Sequence, residues 1–374
     1  MKKILFLHSS SELYGSDRSL LNLIKNIDRN RFGITVILPE YGPLVDELKK
    51  IDNIEVLIKD IATLRRKHLS VKGLIEYTTN FLNSLFYLIN IIRKKKIDVV
   101  YTNTSVVFPG GIAAKLLGRK SIWHIREIVA NKFEATVVSR IVNLFSDIII
   151  ANSKATASAI SQNEDKLKVV YNAIESTQKK IVNNRLTANA KDEIVIGMAG
   201  RINRWKGQKL FVDMAEKVLR ENKTVHFVIA GDVYKGEDHI LDDLKTYIKN
   251  KNLESKIKLL GQVQDMDSFY NNIDIFILPS IQPEPFGLVV LEAMERGIPV
   301  IATNHGGPVE IIENNVDGFL VDYVEASEMS NVALKLASDS DLRKNVGQKG
   351  KEKRNNVFNL ENYVKNISEI ITEL

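Results

Sequence analysis

The 374-residue chain contains no cysteine, which excludes disulfides, thiolate metal sites and a cysteine nucleophile and leaves a reducing, cytoplasmic setting open. With 44% hydrophobic and 26% charged residues it has the composition of an ordinary soluble globular protein, and it is long enough that two domains are expected. The net charge of +6 is uneven: residues 1–175 hold 26 Lys+Arg against 17 Asp+Glu, and the remainder holds 26 against 29.

The opening MKKILFLHSS reads as a first strand over residues 2–7 and not as a signal peptide, because its apolar run is four residues long. A polar loop over 9–16 and a helix over 17–26 follow, an order compatible with phosphate binding. Gly15 stands alone there, and without G-x-G-x-x-G or G-x-x-x-x-G-K-[ST] the dinucleotide and P-loop readings have little support. Strand signals at 34–38 and 54–57 enclose a helix at 44–50, and this alternation argues for a parallel sheet with helices on both faces. Residues 74–92 form a broad apolar helical stripe broken by Asn80, Asn83, Ser84 and Asn90, too polar to span a bilayer. It reads as a helix packed on the sheet or as an interfacial contact with anionic membrane, helped by Arg93-Lys94-Lys95-Lys96. A second basic cluster is Arg65-Arg66-Lys67-His68.

A strand at 97–101 and a helix at 110–117 lead to IWHIRE, residues 122–127, which places His124 at a strand's carboxyl end, where α/β sheets collect ligands. A lone histidine is more often structural, and Arg126 and Glu127 either pair with each other or face an acceptor. A strand at 147–152 is followed by Ser153, a helix opener. The polar, aperiodic stretch 176–192 reads as a linker, dividing a first domain (1–175) from a second (193–355) and a terminal segment (356–374).

The second domain restarts the pattern with a strand at 194–199, then Gly200-Arg201, Lys206-Gly207 and a helix at 208–219. Further strands fall at 225–230 and 257–260, the latter followed by Gly261-Gln262-Val263. Asp265-Met266-Asp267 formally matches a D-x-D metal motif but reads as a helix cap. The chemical centre is residues 279–299, PSIQPEPFGLVVLEAMERGIP. Pro283 and Pro285 forbid helix before Phe286, Gly287 is a helix start and Gly297 a stop. Glu284 stays ahead of the helix, and Glu292 lies about 7 Å along its axis from Gly287. The helix start offers unpaired N–H groups to a phosphate, Gly287 permits close approach, and the two carboxylates suit hydroxyl-rich groups on either side of a diphosphate. That describes a sugar nucleotide. A strand at 300–302, the turn Asn304-His305-Gly306-Gly307-Pro308, a closing strand region at 314–321 and helices at 326–337, 341–355 and 359–374 complete the chain.

EPFGLVVLE, with seven residues between Glu284 and Glu292, resembles the E-x7-E signature of retaining GT-B glycosyltransferases of family 4. Gly200-Arg201 with Lys206-Gly207 resembles the family's G-R-x(4 or 5)-K-G, and Tyr171-Asn172-Ala173-Ile174-Glu175 its Y-N-G-[IV]-D turn, with Ala for Gly and Glu for Asp. The resemblance implies an α/β GT-B fold: two Rossmann-like, doubly wound domains facing a cleft, with a terminal helix crossing back to the first. It implies transfer of a sugar from a UDP- or GDP-linked donor, with retention and without metal or other cofactor, to a carbohydrate or lipid-linked acceptor in cell-surface polysaccharide or glycolipid synthesis. It implies no nucleic-acid partner. In this reading Arg201 and Lys206 stabilise the departing diphosphate, as fixed cations beside developing negative charge do. Glu284 holds sugar hydroxyls, Glu292 the ribose and Val263 the nucleobase, while Gly200, Phe286, Gly287 and Leu288 line the donor. Gly15 and Ser16 take an acceptor-side position, with Arg126 on that side, and His124 comes near the donor sugar. A sugar-nucleotide epimerase and a non-catalytic carbohydrate or membrane-surface binder are the alternatives.

Overall fold

The computed structural model describes residues 1–65, 70–129, 131–160, 165–176 and 193–374. The expected linker, apart from Ser176, and Arg66, Lys67 and His68 of the basic cluster at 65–68 lie outside the described residues. Two compact units are formed, Met1–Glu175 with Leu360–Leu374, and Ser176–Asn359.

The first unit is built on seven parallel strands: β1 (Lys2–Leu7), β2 (Phe32–Leu38), β3 (Ile54–Ile58), β4 (Val99–Thr102), β5 (Lys120–Ile125), β6 (Ile148–Ala151) and β7 (Leu167–Val169). Their order is β3-β2-β1-β4-β5-β6-β7. The helices between them are α1 (Gly15–Asn26), α2 (Pro43–Lys49), α3 (Val71–Lys95), α4 (Pro109–Leu116), α5 (Lys132–Phe145) and α6 (Lys154–Ile160). Strands covered on both faces are written as continuous apolar runs, and the side chains of β1 show the division. Ile4 and Phe6 pack with Leu20 and Ile24 of α1, whereas Leu5 and Leu7 pack with Leu88 and Ile92 of α3, because successive residues of a strand point to opposite faces. Helix α5 has no counterpart in the sequence reading, since its apolar residues are spread too widely around the helix to mark one face. Its start is nevertheless local, with Asn131 accepting from the amides of Phe133 and Glu134.

The second unit has six parallel strands, β8 (Val195–Ala199), β9 (His226–Ala230), β10 (Ile257–Gly261), β11 (Ile275–Leu278), β12 (Val300–Thr303) and β13 (Phe319–Val321), in the order β10-β9-β8-β11-β12-β13. Its helices are α7 (Gln208–Glu221), α8 (Asp238–Asn250), α9 (Met266–Asn271), α10 (Leu288–Glu295), α11 (Pro308–Ile311), α12 (Ala326–Ser338) and α13 (Ser340–Val357). Helix α13 packs closely on the turn after α10: a Cβ on Gly347 would lie 1.9 Å from the Gly297 carbonyl oxygen.

The last helix, α14 (Leu360–Glu373), belongs to the first unit. Its Tyr363, Ile367 and Ile371 are buried against the α1 face of the first sheet. The Lys2 ammonium donates to the carbonyls of Ile371 and Thr372, both at 2.9 Å, a cation at a helix C-terminus as the dipole favours. The other anchor is Arg126. Its Nη2 donates to the Tyr363 hydroxyl at 2.8 Å, its Nη1 to Ser19 Oγ of α1 at 2.8 Å and to Asn172 Oδ1 at 2.6 Å, and its Nε to Asn103 Oδ1 at 2.7 Å. Tyr363→Phe deletes one acceptor of a buried guanidinium and should cost about 2 kcal/mol. A urea-unfolding midpoint equal to that of the parent protein would contradict this anchoring role.

Candidate active site

In a doubly wound sheet the connections diverge where the strand order reverses, and the crevice outside the carboxyl ends at that point collects ligands. In the second unit the reversal lies between β8 and β11, so residues 200–207 and 279–287 flank it. Each loop is held by contacts that tolerate little change. Asn203 Oδ1 accepts from the amides of Trp205 and Lys206 at 3.1 and 2.9 Å, turning the chain tightly. The Ile281 amide donates to the Trp205 carbonyl at 2.8 Å, joining the two loops. Gly207 has φ 78°, and a Cβ there would meet the Pro279 carbonyl oxygen at 1.7 Å, so both conformation and space require glycine.

Pro283 and Pro285 keep the chain extended on either side of Glu284, which forms a bridge with Gly306 in the loop after β12. The Gly307 amide donates to the Glu284 carbonyl at 2.7 Å. The Glu284 side chain turns inward, where Lys206 Nζ lies 2.9 and 2.7 Å from its two oxygens and Ser280 Oγ donates at 3.0 Å. The pair is largely shielded, with side-chain exposures of 15% and 9%. His305 Nε2 donates to the Ser280 carbonyl at 2.6 Å and its ring stacks on Tyr323, centroids 4.3 Å apart, so the third loop buttresses the second. Arg201 stacks its guanidinium over Tyr234 of the loop after β9, 3.2 Å from the ring centroid.

Gly287 is the N-cap of α10 with φ 100°, and no side chain caps that helix. A Cβ on Gly287 would lie 3.7 Å from Glu284 Cγ, so the amino end of α10, Glu284 and Lys206 are neighbours. Glu292 lies in the second turn and accepts from the Tyr270 hydroxyl at 2.8 Å. Asp265 caps α9 through the Ser268 amide at 3.2 Å and Asp267 pairs with Arg296, so the D-x-D residues are engaged in structure. Val263 lies in the turn between β10 and α9. Ammonium, guanidinium, an open helix start and two carboxylates thus share one end of one sheet, a set of groups suited to an anionic, hydroxylated ligand.

Residues 14–178 match the Glycosyltransferase Family 4 model and residues 179–353 the Glycosyl transferases group 1 model. The chain belongs to the family 4 type of GT-B glycosyltransferase. It is 28% identical over 96% of its length, and 92% of the relative's, to the Escherichia coli UDP-Gal:alpha-D-GlcNAc-diphosphoundecaprenol alpha-1,3-galactosyltransferase. It is 25% identical over 74% of its length and 77% of the relative's to the Staphylococcus aureus capsular polysaccharide biosynthesis glycosyltransferase CapM. Among solved structures it resembles Anabaena HepE in complex with UDP, with TM-score 0.83, 25% identity and full coverage of both chains. The chain is therefore a glycosyltransferase that uses a nucleotide sugar.

The residues of the glycosyltransferase's first unit divide differently from expectation. Gly15 and Ser16 open α1 at the carboxyl end of β1, beside the reversal between β1 and β4, and Gly15 is exposed. His124 is not at an open surface; it is wholly buried. Its Nδ1 accepts from the Tyr101 hydroxyl at 2.6 Å and lies 3.2 Å from Arg126 Nη2. Because a guanidinium can only donate, the ring carries its proton on Nε2, which has no partner among the described residues. Arg126 is 5% exposed, and among the described residues its guanidinium makes no ion pair with Glu127; of Arg126 only the backbone amide reaches that carboxylate, at 3.3 Å. Glu127 instead accepts from Thr104 Oγ1 at 2.9 Å and the Ser105 amide at 3.1 Å. The alternation that makes β5 apolar turns His124 inward, so position at a strand's end did not secure access. The sequence reading also did not single out Asn203, Ser280 and Tyr270 as supports of the site. Only Ser280 had a signal, the P-S pair ahead of the motif.

Burial, followed by repulsion from Arg126, holds the His124 pKa well below its ordinary 6.5. The unfolded chain therefore binds a proton that the folded chain refuses, and stability present above pH 6.5 is lost as pH falls below it. Between about pH 7.5 and about pH 5.5 the unfolding free energy of the parent should fall, while His124→Gln should flatten that slope; parallel pH profiles would refute the assignment. Gly306→Ala would place a Cβ 2.4 Å from the Glu284 carbonyl oxygen. A loop shifted by about 1 Å should lower turnover on the order of a hundredfold in a folded protein, measured as nucleotide release against circular dichroism.

Proposed function

We propose that this glycosyltransferase takes its sugar from a UDP-linked donor and transfers it, with retention at the anomeric carbon, to a lipid-linked carbohydrate in the synthesis of a cell-surface polysaccharide. The observation that carries the reading is the Lys206–Glu284 pair beside the uncapped start of α10. The UDP complex of HepE and the lipid-diphosphate acceptor named for the E. coli relative support the choice of donor and acceptor.

In this mechanism the diphosphate sits against the first amides of α10 and between Arg201 and Lys206. Its negative charge draws Lys206 toward phosphate, which releases oxygens of Glu284 to accept sugar hydroxyls. As the bond from the anomeric carbon to the β-phosphate oxygen breaks, charge grows on that oxygen, and the two cations stabilise it more than the ground state. The acceptor hydroxyl oxygen bonds to the anomeric carbon on the face the phosphate is leaving, and its proton passes to the departing phosphate oxygen. Glu292, oriented by Tyr270, accepts from the ribose hydroxyls. The two side-chain cations supply the electrostatic role a metal takes elsewhere, so chelation should leave activity intact.

Glu284→Gln keeps the shape but weakens the hold on both Lys206 and the sugar, and turnover should fall by about a hundredfold or more. The test is a panel of UDP- and GDP-sugars with the purified protein, in chelator, scored for released nucleotide and for the anomeric configuration of product. Release from UDP-sugars alone and an α-linked product from an α-linked donor are expected. An isomerised donor would point to an epimerase, and full activity of Glu284→Gln would overturn the mechanism.

A further inference from the structure

A helix laid on a sheet is expected to be apolar on the inner side and polar on the outer, and α3 is apolar on both. Its inner side is accounted for: Leu88 and Ile92 are buried, and Tyr77 and Phe81 pack in the cluster that contains Val138 and Val142 of α5. On the opposite side Ile75, Leu82 and Phe86, spaced i, i+7 and i+11, are 65%, 48% and 66% exposed. Single exposed apolar residues are ordinary, but a line of them along one helix marks a contact surface. Helix α5 adds Phe133, 78% exposed, in its first turn.

We propose that the outer stripe of α3, with the first turn of α5, is a docking surface for an anionic lipid bilayer. This extends the lipid-linked acceptor reading and rests on it for the reason the enzyme visits a membrane. Charge selects this occupant. Lys72 and Arg93 are exposed near the two ends of the stripe, Lys94 beside Arg93, and Lys132 and Arg140 are exposed on α5. Each of the two helices carries a single glutamate, Glu76 and Glu134. A second copy of the same basic surface would be repelled, whereas acidic headgroups attract it while the apolar side chains enter the acyl boundary. Topology gives the surface a purpose. Helices α3 and α5 follow β3 and β5, so Ile75 and Phe133 lie near the carboxyl ends of the strands, the end at which α/β sheets bind ligands. Among the described residues no helix is long and apolar enough to cross a membrane, so the contact is one of lying on the bilayer.

The test is co-sedimentation of the full chain with phosphatidylcholine vesicles, with and without phosphatidylglycerol, for the parent, for Ile75→Ser/Leu82→Ser/Phe86→Ser and for Lys72→Glu/Arg93→Glu. The parent should sediment with the anionic vesicles only and less so in high salt, and both variants should bind about tenfold more weakly or worse. Each variant should keep the parent's thermal shift with UDP, which shows that it is folded. A parent that stays in the supernatant, variants that bind as the parent does, or light scattering that finds a dimer dissolved by the serine variant would each overturn the proposal. Absence of a UDP shift in the parent would instead strike the donor assignment, a separate failure.

Discussion

The second unit is organised by one ion pair that cannot be left half made. Glu284 is almost wholly removed from water, and a buried carboxylate without a partner costs several kcal/mol. Lys206 meets it on both oxygens, and that meeting requires three loops to stand in fixed relation. The loop after β8 carries the lysine, the loop after β11 the glutamate, and the loop after β12 backs the glutamate's main chain through Gly306 and Gly307. The glycines at 207 and 306 follow from this constraint, since a side chain at either would strike a neighbouring loop's backbone. A pair so placed is also poised for exchange. In the proposed mechanism an arriving diphosphate offers Lys206 a stronger partner, and the carboxylate is then free to accept sugar hydroxyls.

The first unit uses similar groups to a different end. Arg126 spends all five of its donors inside the protein, on Asn103, Ser19, Asn172, Tyr363 and His124. It joins β5, the end of β4, α1, the segment after β7 and the helix that returns from the end of the chain. None of these acceptors is charged, so the guanidinium is stabilised by dipoles that converge on it. Burial first, and then the same charge, disfavour a second cation nearby, which is why His124 stays neutral and serves as an acceptor. A cation, a histidine and a strand's carboxyl end therefore make a structural hub here, whereas a cation, a glutamate and a strand's carboxyl end make the proposed ligand site in the other unit.

Much of this was legible in the chain itself. Buried parallel strands appear as short apolar runs, helices as 3.6-residue periods, and prolines and glycines as punctuation, so the alternation that builds both sheets is a local property. The two glutamates separated by seven residues and the paired basic motif are equally local, which is why the family could be read from them. Helix α5 escaped because it is apolar on too many sides, whereas α8 was missed although Ile240, Leu241, Leu244, Tyr247 and Ile248 follow a helical period and pack on one core.

What the sequence determined by itself was thus the elements, their order and the kinds of chemical group offered at the ends of the strands. Tertiary structure alone decided that Lys206 reaches Glu284 across 78 positions, that His124 turns inward and that Ile75, Leu82 and Phe86 of α3 are exposed. The reason is that a side chain's type is written locally, but its surroundings are set by crossover connections that bring distant strands together. Burial, partner and protonation state belong to those surroundings.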